Sequence, residues 1–383
     1  MAPPGFRIFI LGAGFSCPAS LPTGAQLWQE VWRRAQGLSG RAECIRDDLD
    51  DYLDFRRACD APSIARDDID FEDFLAFLDV EHYLGLRGSD TGSSQGNESQ
   101  VVVKTLIGEI LAERLPLKDA VPPLYLRFAR ALRPGDYVLT FNYDVLLERA
   151  LEAAGTPFRL FPERIREIRG STAILDSSIE EVVVLKLHGS IDWFDDGEHQ
   201  ELQEEALGRG FPEGPPHPVF SNRDELGVTK LLEGLRFPND PLKHMHRVEA
   251  VEALYRRKIM FSATPSMLSP SSMKLLGAQA FRDFWYGAGS AGSLNLGLAI
   301  IGYSMPPADG YARRIIYNMV RNYQRRYWDK GIMDMKKSPL LLVDLRNDDD
   351  AVKGYRERYG FVDWDRARVV PTGFDESVVA MFE

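Results

Sequence analysis

Six short runs of mostly apolar residues constrain this chain most: 6–11, 137–141, 182–187, 296–301, 340–345 and 368–370. They are too brief for core helices. Apolar side chains on consecutive positions suit parallel strands that are buried on both faces. Helical patterns lie between the runs, so they read as βαβ units of a Rossmann-like, doubly wound parallel α/β sheet.

The spacing is uneven. About 125 residues separate the first run from the second, far more than a single crossover helix needs. Within that interval Leu27, Val31 and Ala35 recur every four residues, and Phe71, Phe74, Leu75 and Leu78 follow a helical stripe, as do Val103, Leu106, Ile107 and Ile110. Residues 25–131 are therefore expected to form a helical insertion, broken by an apolar-free loop from Arg87 to Ser99 that reads as disordered. A second interval, 195–254, carries Gly208, Gly210, Gly214 and a proline-rich stretch at 211–218, which predicts a loop-rich insertion or lid. The core would then consist of residues 1–24, 132–194 and 255–383.

Charge and cysteine usage narrow the function classes. A formal net charge of −11 argues against a globally cationic surface that tracks phosphates, although a local basic patch survives that argument. Cys17, Cys44 and Cys59 form no CxxC pair and read as reduced thiols rather than a disulfide framework. No stretch approaches the roughly 20 apolar residues of a membrane span, and the N-terminus lacks the basic and small-residue marks of a signal peptide. A soluble cytoplasmic protein is expected, without direct membrane contact and without strong nucleic-acid binding by itself.

Five motifs follow the runs. Leu11-Gly12-Ala13-Gly14-Phe15-Ser16 leaves the first; its glycines permit a tight turn and close approach to a pyrophosphate, and Ser16 could reach phosphate or cap a helix. Thr140-Phe141-Asn142-Tyr143-Asp144 leaves the second, with more polar groups than one helix cap needs. Leu187-His188-Gly189-Ser190 places an imidazole suited to proton transfer beside a glycine that permits close ligand approach. Gly302-Tyr303-Ser304-Met305-Pro306-Pro307-Ala308-Asp309 could be an ordinary turn in which Asp309 caps a helix beginning near Gly310. Asp344, in Val343-Asp344-Leu345, could touch a ribose or cap a helix. Singly each has a bland reading; jointly they describe one crevice at the carboxyl edge of one sheet. The acidic run Asn347-Asp348-Asp349-Asp350 reads as a solvated loop and helix start.

In order and position these motifs resemble the sirtuin superfamily, particularly the zinc-free sirtuin-like NADase effectors of bacterial antiphage defence. GAGFS resembles the sirtuin GAGxS, TFNYD resembles TxNxD, LHGS resembles the strand-end His-Gly, and GYSMPPAD looks like the GYSxPPxD segment of the defence branch. The resemblance spans nearly the whole chain from Phe6 to about Val370. Two features depart from the deacetylase branch. Three scattered cysteines cannot build a four-cysteine zinc module, and Leu21-Pro22-Thr23-Gly24 stands where deacetylases carry Pro-Asp-Phe-Arg.

The resemblance implies an NAD glycohydrolase that cleaves the nicotinamide–ribose bond, with NAD as substrate and no metal required. It implies Asn142 holding the ribose and attacking water, Asp144 on the nicotinamide carboxamide, and His188 as base. Gly12, Ala13, Gly14, Ser16, Thr140, Gly189, Gly302, Ser304 and Asp344 would line the NAD site. It also implies a homo-oligomer working in a hetero-complex with a HerA-type ATPase or an Argonaute-like protein. The alternatives are a non-catalytic NAD or ADP-ribose sensing module, and a protein deacetylase or ADP-ribosyltransferase.

Overall fold

A computed structural model describes residues 5–88, 96–161, 163–176, 178–257, 259–306, 309–332, 334–346 and 348–383. The 89–95 part of the expected loop, Pro307, Ala308 and Asn347 lie outside the described residues.

The apolar runs become strands. They are β1 (Arg7–Leu11), β2 (Tyr137–Thr140), β3 (Phe158–Arg159), β4 (Val182–Lys186), β5 (Gly297–Ile301), β6 (Leu340–Val343) and β7 (Ala367–Val370). They form one seven-stranded sheet in the order β7-β6-β5-β1-β2-β4-β3, and every neighbouring pair is parallel. β4 and β6 are buried along their whole length, as strands covered on both faces must be. β3 is the addition to the six expected runs; its two residues are too short for any periodicity to show.

The chain winds outward from β1 through β2 toward β3, then returns to the other side of β1 as β5. The winding therefore reverses between β1 and β5, which is where open α/β sheets place their ligand crevice. Register makes that edge level: Leu11 pairs with Thr140 and Ile301, Thr140 with Lys186, and Ile301 with Val343. Gly12, Phe141, Leu187, Gly302 and Asp344 are the next residues, so the motif loops all leave the sheet from one row.

The interval before β2 folds as helices Gly24–Ala35, Cys44–Cys59, Phe71–Leu84, Glu98–Arg114 and Pro123–Ala131. Thr23 and Gln26 close a capping box on the first of these. Glu98–Arg114 departs from a one-sided stripe, because it is buried on almost every side and packs against Gly24–Ala35, Cys44–Cys59 and Val251–Tyr255. Gly108 permits the last of these contacts: a Cβ there would lie 2.2 Å from the Tyr255 ring.

The second interval is more regular than its glycines and prolines suggest. It holds the helix Gly197–Gly208 and most of a three-stranded antiparallel sheet in which Met245–Val248 runs between Trp193–Asp195 and Val228–Lys230. Strands this short leave little alternation to read. No helix among the described residues is long and apolar enough to cross a membrane.

Candidate functional site

The turns after β1 and β5 are joined by their backbones. The Gly12 amide donates to the Ile301 carbonyl at 3.0 Å, and the Gly14 amide donates to the Gly302 carbonyl at 2.9 Å. Glycine is required on both sides of this contact. A Cβ at Gly12 would lie 2.6 Å from the Gly302 oxygen, one at Gly14 2.7 Å from the Gly302 Cα, and one at Gly302 2.3 Å from the Phe15 nitrogen. Gly302 also has φ +65°, a left-handed conformation natural to glycine. The glycines thus bring two turns together, and the Gly12 and Gly14 amides expected to face a phosphate are already donated within the protein. Gly189, at φ +78°, behaves alike: a Cβ there would lie 2.3 Å from the Ser266 oxygen, so the close approach it permits is that of neighbouring chain.

Above this junction Ser16, Asn142 and Asp144 form one hydrogen-bonded group. Ser16 Oγ donates to Asp144 Oδ2 at 2.9 Å and accepts from Asn142 Nδ2 at 3.1 Å, while Nδ2 also reaches the Gly12 carbonyl at 3.1 Å. The Asn142 amide donates to Thr140 Oγ1 at 3.1 Å. Asp144 Oδ1 accepts from the Leu146 amide at 3.0 Å, so one oxygen serves the start of helix Leu146–Ala154 and the other serves Ser16. Asp144 therefore caps the helix start with one oxygen and still holds Ser16 with the other. Beneath it the wholly buried Lys186 ammonium donates to the Asp144 backbone carbonyl and pairs with Glu148 at 2.9 Å. Burial pushes the Glu148 carboxyl up, against the pull of Lys186.

His188 sits in an aromatic cage. Its ring centroid lies 5.0 Å from Phe141, 6.1 Å from Tyr143, 6.4 Å from Trp285 and 6.1 Å from Tyr311. Phe141 and Tyr143 flank Asn142 in the chain, which ties the cage to the Ser16 group. His188 Nε2 lies 2.5 Å from the Tyr311 hydroxyl, and the Trp285 indole donates to the Leu187 carbonyl at 3.1 Å. Burial pushes the imidazole down to about 3; the Lys274 cation adds to this and the Asp309 carboxylate opposes it. The histidine expected to titrate near neutrality is thus a neutral ring here. The Tyr311 phenol is held upward by burial and by Asp309, so it keeps its proton.

Asp309 makes no side-chain cap on the helix Gly310–Arg325. Instead it accepts from Lys274 Nζ at 2.5 Å and from the Tyr303 hydroxyl at 2.8 Å. Burial raises this carboxyl, but Lys274 and its other partners bring it below the ordinary range. Tyr143 lay inside the Thr140–Asp144 motif without a role of its own, and Lys274, Trp285 and Tyr311 were not singled out by sequence. Lys274 and Trp285 come from an aperiodic segment, and only Tyr311, two residues beyond Asp309 at a helix start, had a positional signal.

The remaining expected residues are spread along the edge. Ala13 is half-buried and Ser304 is exposed at the rim. Asp344 pairs with Arg346 and accepts from the Leu345 amide at 2.9 Å; burial raises its carboxyl against the pull of Arg346. The centre of the site is closed, with Ser16 1% exposed, His188 4% and Asp144 8%. Among the described residues, no three His, Cys, Asp or Glu side chains are grouped to hold a metal ion.

Residues 136–203, which carry Thr140, Asn142, Asp144, His188 and Gly189, match the family model of the SIR2-like domain. The match supports a sirtuin-like family. None of the curated proteins compared matches the chain. Solved structures similar to it include one on the basis of sirtuin substrate affinity, with 12% identity over 98% of this chain and 92% of that one and a TM-score of 0.33. Sir2Tm bound to a propionylated peptide shares 15% identity over 98% and 90%, with a TM-score of 0.32. A Sir2–p53 peptide–NAD+ complex shares 12% over 98% and 91%, with a TM-score of 0.32. At these values the structural likeness supports nothing beyond itself. The SIR2-like span covers β2, β3 and β4, and the polar groups that follow β2 and β4 are those of the site.

Proposed function

We propose that this chain is an NAD glycohydrolase, splitting NAD into nicotinamide and ADP-ribose. The observation that carries the reading is the Ser16–Asn142–Asp144 group beside His188, at the edge where the sheet winding reverses. Cleavage of an N-glycosidic bond passes through an oxocarbenium-like transition state. The nicotinamide nitrogen leaves with the bonding electron pair and departs neutral, so no strong general acid is needed. Asn142 would orient the ribose and the attacking water, and Asp144 the nicotinamide carboxamide. Water adds to the anomeric carbon and gives its proton to the neutral His188 imidazole, from which it passes to solvent. A weak base suffices, because an oxocarbenium ion draws electrons from water strongly. Because Ser16, Asp144 and His188 are buried, NAD must open the site to enter.

In this proposal the chain acts as the effector of an antiphage defence system. It assembles with itself, and its weak hydrolysis alone is raised within a complex with a HerA-type ATPase or an Argonaute-like protein. Mass photometry combined with NAD turnover, with and without such a partner, tests this; a monomer that hydrolyses NAD at full rate unaided would overturn it.

A non-catalytic NAD-sensing module is favoured by one observation, the internal pairing of the polar site groups. Chromatography of NAD after incubation separates the two readings. Equimolar nicotinamide and ADP-ribose, released over many turnovers, supports hydrolysis; stoichiometric binding with NAD recovered intact supports the sensor.

A further inference from the structure

The helix Gly310–Arg325 begins at the candidate site, through Asp309 and Tyr311, and runs away from it. Its inner side is buried through Ala312, Ile316, Met319, Val320 and Tyr323. Its outer side exposes Arg314, Arg321 and Arg325 along one line, and Arg313 and Arg326 are exposed at its two ends. Acidic residues outnumber basic ones 57 to 46 in this chain, and arginines elsewhere are commonly paired, as in Arg34–Glu113, Arg127–Glu383 and Arg164–Glu181. Among the described residues, none of these five arginines forms an ion pair with a carboxylate. The outer face carries no acid.

At the carboxyl end of the helix the same face opens into a cavity of about 510 Å³, walled by Arg321, Arg325 and Arg326 with Asn318, Asn322 and Ser290. Neither a carboxylate nor an apolar side chain lines it. Asn322 is held by the Ala291 carbonyl at 3.0 Å and Ser290 by the Gly287 carbonyl at 2.8 Å, so two polar groups of the wall are anchored, while Arg325 and Arg326 are exposed.

We propose that this face and cavity bind the phosphodiester backbone of a nucleic acid. Three features select that partner. From Arg314 to Arg325 the row runs roughly 16 Å at helical rise, which spans about five phosphates of one duplex strand and exceeds what a lone phosphate could fill. All five cations are arginine, whose planar fork suits bidentate phosphate contacts. The cavity lacks the apolar centre that a protein interface supplies, and its amide and hydroxyl groups suit phosphate and sugar contacts. The chain's overall negative charge makes the binding local, modest and salt-sensitive.

Fluorescence anisotropy of a labelled oligonucleotide of about 20 nucleotides, single- or double-stranded, tests this with the full chain at low salt. It reads binding alone, so its outcome is independent of NAD hydrolysis. Saturable binding is expected, with a log–log salt slope of about −4 for five neutralised phosphates. The charge reversal Arg321→Glu/Arg325→Glu should weaken it about tenfold or more, whereas Arg169→Glu, exposed elsewhere, should leave it unchanged. The milder Arg314→Gln/Arg321→Gln should also weaken binding, which guards against misfolding of the reversal variant. No saturable binding, affinity unaltered in both double variants, or equal affinity for a polyglutamate peptide would overturn the proposal.

Discussion

The Ser16 hydroxyl donates to Asp144 Oδ2 at 2.9 Å across 128 positions of sequence, joining the turn after β1 to the loop after β2. Ser16 Oγ also accepts from Asn142 Nδ2, so one small side chain sets the positions of two groups to which the proposed chemistry gives different tasks. Ser16→Ala should lower NAD turnover by roughly 10-fold to 10²-fold through lost positioning. It should cost about 1–3 kcal/mol of stability, because Asp144 Oδ2 loses its donor. Steady-state turnover with urea unfolding checks both; unchanged turnover would remove Ser16 from the site.

Lys186 is the buried support of the same loop. In Lys186→Met the Glu148 carboxylate stays buried without its partner and the Asp144 carbonyl loses a donor, which should cost about 3–5 kcal/mol. Lys186→Met/Glu148→Leu should recover much of that loss, since the stranded charge goes too. Denaturant unfolding of wild type, single and double variants measures it. A single variant within about 0.5 kcal/mol of wild type would show that the pair carries no weight.

The glycine junction is testable at Gly302. Alanine there needs a left-handed backbone and places its Cβ 2.3 Å from the Phe15 nitrogen. The conformational cost alone is about 1–3 kcal/mol, and the clash adds to it. Gly302→Ala should lower the thermal midpoint or abolish soluble expression, while alanine at Gly277, whose Cβ position is open, should leave stability nearly unchanged. Equal melting of the two variants would contradict the packing role.

His188 gives a pH signature. Burial holds it down to about 3 in the folded chain, against roughly 6.5 when unfolded, so the unfolded chain binds the proton more readily. The group's contribution is complete above about pH 6.5 and is lost as pH falls toward 3. His217, pushed down to about 4 by burial, adds to the same slope. Urea unfolding at about pH 7 and about pH 5 should show a stability loss that is smaller in His188→Gln. An equal loss in both proteins would mean that His188 is not held neutral.

The fold and the edge were legible because parallel strands buried on both faces leave continuous apolar runs, and each polar group at a strand end then points to the same row. β3 was not legible, since two residues carry no pattern. A glycine in sequence shows freedom but not its neighbour: Gly12, Gly14 and Gly302 meet one another, and Gly189 meets Ser266. The shift of His188 was hidden for a similar reason. Its cage draws on Trp285 and Tyr311, and Lys274 acts on it from 86 positions away in sequence, in a segment without periodicity. Asp309 read as a helix cap because nothing local revealed the lysine it pairs with.

The central claim is that Asn142 and His188 split NAD without a metal. The most direct measurement is NAD turnover by the purified protein, with its partner where one is needed, in excess chelator, beside Asn142→Ala and His188→Gln. Wild type should release nicotinamide and ADP-ribose at the same rate with or without chelator. Each variant should fall by roughly 10² or more while still melting cooperatively. Turnover that disappears in chelator and returns with a divalent ion, or a folded Asn142→Ala protein with near wild-type turnover, would contradict the account.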